Sequence, residues 1–107
     1  MTTEIYVINP QLKTIESVIL TGGLEQVKHT IGFDTIETDN LDDQGHTLYF
    51  DENCFLKDTK DLGRFQIDTL APVAGIGIIV KRQSTHPLIF ETPSISLDNV
   101  KSRIQFT

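Results

Sequence analysis

The sequence predicts an α+β domain: a mixed, mostly antiparallel sheet of about five to seven strands, with two short helices packed against it. Three observations point there. Arg64 to Lys81, RFQIDTLAPVAGIGIIVK, is the most apolar stretch, and Ala74 to Val80 carries no charge. Its β-branched residues (Ile67, Ile76, Ile78, Ile79, Val80) suit buried strands. Helical spacing occurs twice, in Leu24, Val27, Ile31 and in Leu97, Val100, Ile104. Elsewhere, short apolar runs alternate with residues that favour turns. At 107 residues, a single domain spanning 1–107 is expected, because two would each be too small to bury a core.

Taken in order, Glu4 to Asn9 reads as a largely buried strand ended by Asn9-Pro10. Thr14 to Leu20 reads as a second strand, and the short separation predicts an antiparallel hairpin. Thr21-Gly22-Gly23 punctuates the chain before the first helix, Leu24 to Ile31, with Thr21 at or near its N-cap. Gly32 ends that helix where a left-handed residue is needed. Phe33 to Thr38 and His46 to Phe50 read as strands, joined by the turn Asn40-Leu41-Asp42-Asp43-Gln44-Gly45. Cys54 to Leu56 reads as an extended piece reaching the core, and Asp58 to Gly63 as a loop. Two strands follow, divided at Ala71-Pro72. Arg82 to Pro87 is a turn, and Leu88 to Phe90 a strand paired with Ile76 to Val80. Ser96 caps a second helix, with Asp98 in the first turn and Lys101 and Arg103 near its end, where each sign suits the helix dipole.

The charge is unevenly spread. The chain carries a net −6, yet Asp34 to Asp68 alone carries −7, with ten acids against three bases. A surface of this sign repels phosphate backbones and argues against direct nucleic-acid binding. It suits a basic protein partner, through Asp34, Glu37, Asp39, Asp42, Asp43, Asp51 and Glu52, or a solvated face that keeps the protein soluble. No apolar run is long enough for a membrane span, and the first residues lack the pattern of a signal peptide. With Cys54 as the one cysteine, no intramolecular disulfide can form. Together these features predict a cytoplasmic protein. The edge of a small open sheet is a natural place for two copies to pair.

Several motifs invite chemistry. Asn40 to Asp51 has the skeleton of a calcium loop, with Gly45 at the sixth position. Asn and Gln at ligand positions, and a final Asp in place of Glu, weaken it, and a turn between strands explains the same residues. Thr21, Gly22 and Gly23, at a helix N-terminus, present free amides to an anion or nucleotide phosphate. A tight turn with a cap accounts for them as well. Gly75-Ile76-Gly77 suits glycines inside a strand against which another group packs closely. His29, His46 and His86 show no metal-ligand spacing, and no metal or cofactor is expected. A small enzyme built on Cys54 and a histidine is the third functional class. A small buried thiol is the simpler reading.

The segments IYVINP, LEQVKHTIG (Leu24 to Gly32), DENCFLK (Asp51 to Lys57) and GIGIIV (Gly75 to Val80) stand in a suggestive order. The chain resembles, over roughly residues 4 to 80, a family of small proteins of unknown function encoded by phages, plasmids and other mobile elements. The resemblance implies no catalytic residues. The functional expectation is therefore a non-enzymatic accessory or interaction protein with an acidic partner-binding surface.

Overall fold

The computed structural model describes residues 3–32, 36–52, 63–83 and 89–107. Within them, two antiparallel sheets enclose the cores. The larger sheet runs β2-β1-β7-β4-β3, from β1 (Thr3–Asn9), β2 (Thr14–Leu20), β3 (Ile36–Asn40), β4 (His46–Asp51) and β7 (Gly77–Arg82), with β8 (Phe90–Glu91) adding to β7. The smaller sheet runs β6-β5-β9, from β5 (Arg64–Ile67), β6 (Val73–Ala74) and β9 (Ile104–Phe106). The helices are α1 (Gly23–Ile31) and α2 (Leu97–Arg103). The α+β class is as expected. The pairings among the described residues are antiparallel, in keeping with the mostly antiparallel sheet expected, and these strands divide between two sheets.

The layers follow from strand alternation. Side chains of one strand point to opposite faces in turn. On one face of the large sheet, Tyr6, Ile8, Leu48, Phe50 and Ile79 pack with Phe65, Ile67, Val73 and Val100 from the small sheet and α2. On the other, Ile5, Tyr49, Ile78, Val80 and Phe90 pack with Val27 and Ile31 of α1. Tyr49 and Phe90 meet edge to face, with ring centroids 5.7 Å apart. β7 contributes to both cores, which explains why its sequence is apolar without alternation.

Local chemistry sets the boundaries. Asn9 Oδ1 accepts from the Gln11 and Leu12 N–H groups and shapes the β1–β2 turn. Gly32, at φ 88°, closes α1 as its sequence position implied. The N-cap is Gly22, with Thr21 immediately before it. Ser96 caps α2, its Oγ accepting from Asn99 N–H at 3.0 Å.

Two elements differ from expectation. The central stretch gives three strands, because the chain bends at Gly75 (φ 83°). Val73–Ala74 stays beside β5, while Gly77–Arg82 enters the large sheet. Gly77 lets the sheets approach, since a Cβ there would lie 2.4 Å from Phe65 Cζ. The second helix ends at Arg103, and Ile104 is extended (φ −104°, ψ 134°) and pairs with Ile67. Burial along β5 outweighs one more helical residue. The expected strand at Phe33 to Thr38 is described from Ile36 onward and runs on to Asn40. Cys54 to Leu56, the loop from Asp58, most of the Arg82 to Pro87 turn, and Leu88 lie outside the described residues.

Candidate functional site

The described acids from Glu37 to Glu52 lie on or beside the β3–β4 hairpin, and among the described residues β3 is an edge strand of the large sheet. Glu37 and Asp43 are exposed, Asp39 is half-buried, and Glu52 is exposed just past β4. Glu37 Oε1 accepts from Thr38 N–H at 2.9 Å, satisfying a backbone donor on the edge strand. Asp51 corrects the expected surface: it is 2 % exposed, on a strand buried along its whole length. Its charge in the sequence says nothing of this, because burial is decided by the sheet partners. Asp34 lies outside the described residues.

Asp42 has a different task. Its Oδ1 accepts from Gln44 N–H at 2.9 Å and from His46 N–H at 3.3 Å, while Oδ2 lies 2.7 Å from His46 Nδ1. Burial raises the cost of its charge, but the Gln44 and His46 donors outweigh that and hold the carboxyl below its usual range. The window that resembled a calcium loop thus comprises the hairpin loop 41–45 and strand β4, and its first carboxylate, Asp42, binds nearby backbone and the His46 ring. Gly45, at φ 99°, makes the turn, and a Cβ there would strike Arg82 O.

His46 is fully buried and reaches across to Ser94, in the segment leading into α2. Ser94 N–H lies 3.1 Å from His46 Nε2, and Ser94 Oγ lies 3.2 Å from the same atom. A main-chain N–H can only donate, so Nε2 accepts, and the ring proton sits on Nδ1 facing Asp42. Asp42, His46 and Ser94 match the residue types of a nucleophilic triad. The Ser94 amide, however, occupies the lone pair that would receive a hydroxyl proton. The ring therefore acts as a clasp, tying the β3–β4 turn to the start of α2. Tyr6 reinforces it by donating its hydroxyl to Ile95 O at 2.7 Å. Burial, and then the Glu4 charge, push that phenol up.

The Thr21-Gly22-Gly23 turn is occupied from within. Gln26 Oε1 accepts from the Thr21 N–H, from Gly22 N–H at 2.7 Å and from Thr21 Oγ1 at 3.1 Å, while Nε2 donates to Ile19 O at 3.2 Å. Of the three residues on which the anion expectation rested, Thr21, Gly22 and Gly23, the first two have amides that already have an acceptor. The same carboxamide lies against the end of β2, doing there what a peptide group of a neighbouring strand would do. A glutamine facing backward from the first turn of a helix is the signal that could have revealed this.

At Gly77 the expectation of close packing is met by the Phe65 ring. The Cys54 arrangement and His86 lie outside the described residues. Among the described residues, no three His, Cys, Asp or Glu gather closely enough to hold a metal ion. No helix described is long and apolar enough to cross a membrane.

Comparison with known proteins places no family on these features: no family model, curated protein or solved structure matches the chain.

Proposed function

We propose that the chain is a non-enzymatic accessory protein, of the kind carried by phages and plasmids, that works in the cytoplasm and engages a basic protein partner through the β3–β4 side. One observation carries this reading. From Ile36 to Glu52 there are six acids and no lysine or arginine, with Glu37 and Asp39 on the edge strand β3 and the others on or beside the loop and strand that follow it. With Asp42 committed to His46 and Asp51 buried, the outward-facing set is Glu37, Asp39, Asp43 and Glu52. An outer strand can accept an extended segment by backbone pairing, and carboxylates beside it select lysine and arginine in that segment. The likeness of IYVINP and GIGIIV to mobile-element proteins supports the biological setting.

The test is retention of partners from a native cytoplasmic extract by the immobilised protein, at low and high salt. A triple variant, Glu37→Lys, Asp43→Lys, Glu52→Lys, is compared under the same conditions. The expected partner is basic, is released as salt shortens the screening length below about 8 Å, and is not held by the variant. A partner held equally by the variant, or at every salt concentration, would sink the reading.

A further inference from the structure

We infer that the cleft between the β1–β2 turn and the C-terminal segment is a binding site for a small anion carrying a planar ring, such as a nucleoside monophosphate. The cleft has a volume of about 520 Å³ and is lined by Lys13, Thr14, Ile15, Glu16, Lys101 and Phe106. That volume lies in the range of small-ligand sites, about 300–1,000 Å³.

Charge supplies the main argument. Seven lysines and arginines fall among the described residues. Lys28, Lys81 and Arg103 are ion-paired with Glu25, Glu91 and Asp68. Arg82 donates to Asn40 Oδ1, and Arg64 is also engaged. The two left without a side-chain partner among the described residues are Lys13 and Lys101, and both line this one cleft. In a chain with fifteen acids, two cations from distant parts of the sequence that have no partner among the described residues and share one cleft form a local exception to the overall field.

The backbone adds a second argument. Lys13 holds φ 56°, a left-handed conformation that glycine adopts freely and an L-residue only at a cost. The turn keeps a lysine where glycine would be easier, and that lysine borders the cleft. Ile15 and Phe106 are half-buried against the core and give the cleft an apolar floor. The parts have separate tasks: two ammonium groups for a phosphate or carboxylate, a floor for a ring, and the Thr14 hydroxyl and Glu16 carboxylate for a ligand N–H or O–H. Glu16 also disfavours ligands that are anionic throughout. This site is distinct from the amides of the Thr21-Gly22-Gly23 turn and from the acidic side.

Amide chemical shifts of the protein titrated with AMP, adenosine and inorganic phosphate test the inference. AMP is expected to give saturable shifts at residues 13–16, 101 and 106, and both fragments to bind more weakly. The variant Lys13→Gly, Lys101→Ala removes two exposed side chains, relieves the left-handed lysine and keeps its amide dispersion. It is expected to bind AMP roughly tenfold or more weakly. The inference is overturned if AMP gives no saturable shift in the cleft, if the variant binds it equally well, or if phosphate alone matches AMP.

Discussion

Replacing Gly77 with alanine probes the contact that joins the two sheets. An added Cβ would sit 2.4 Å from Phe65 Cζ and 3.1 Å from both Phe65 Cε1 and Leu48 Cδ1. Carbon atoms in ordinary contact lie about 3.5–4.0 Å apart, so the ring must retreat by about 1 Å or more. It has little room, because Phe65 is fully buried and its strand is paired on one side with Val73 and on the other with Phe106. Overpacking of this kind costs about 1–3 kcal/mol, while losing a glycine from the unfolded chain returns about 0.4–1 kcal/mol. The expected net destabilisation of Gly77→Ala is about 1–2 kcal/mol. Urea unfolding would read it as a midpoint about 1 M lower, at the slopes usual for small domains. Phe65→Leu alone is also destabilising, but it makes space for the new methyl group. In the double variant the two penalties should fall short of their sum by about 1 kcal/mol. A Gly77→Ala midpoint equal to wild type, or penalties that simply add, would show that the sheets do not meet through this contact.

The remaining predictions concern acid, edge and cap. Asp42, held low by the Gln44 and His46 donors, and Asp68, held low by Arg103, contribute stability above the usual carboxylate range that is lost as pH falls through their lowered values. In thermal melts, Asp42→Asn and Asp68→Asn should each be less stable than wild type at neutral pH, with the gap closing below about pH 4; a gap independent of pH would contradict this. Gln26→Ala should cost about 1 kcal/mol and speed hydrogen exchange at Thr21 and Gly22, and unchanged exchange there would refute the role given to its carboxamide. Ser96→Ala should lower stability by about 1 kcal/mol in denaturant titration, the usual loss for an N-cap; a neutral result would mean the Asn99 amide is served equally well by water.

What the sequence made legible was local. Asn9-Pro10 between two apolar runs gave the first hairpin, Gly32 the end of α1, and Ser96 the start of α2, because each rests on neighbours a few residues apart. Contacts over long separations were not legible. His46 meets Ser94 across 48 positions, and neither residue stands out in its own surroundings. Asp51 looked like part of an exposed acidic run because a carboxylate in sequence shows its charge but not its depth. Ile104 fitted a helical face as well as it fits β9, and only the open side of β5 decides between them. Lys13 and Lys101 lie almost at opposite ends of the chain, and the packing of α2 against β2 brings them to one cleft.

The position of β7 between β1 and β4 has a consequence for biosynthesis. The first four strands pair as two hairpins, but the strand that bridges them is not translated until residues 77–82. Until then, the sides of β1 and β4 that will face β7 lie open, with Ile5, Ile8, Leu48 and Tyr49 lacking their final neighbours. Completion of the large sheet therefore waits for β7, whose pairings with β1 and β4 close long stretches of chain, the kind of contact that forms slowly.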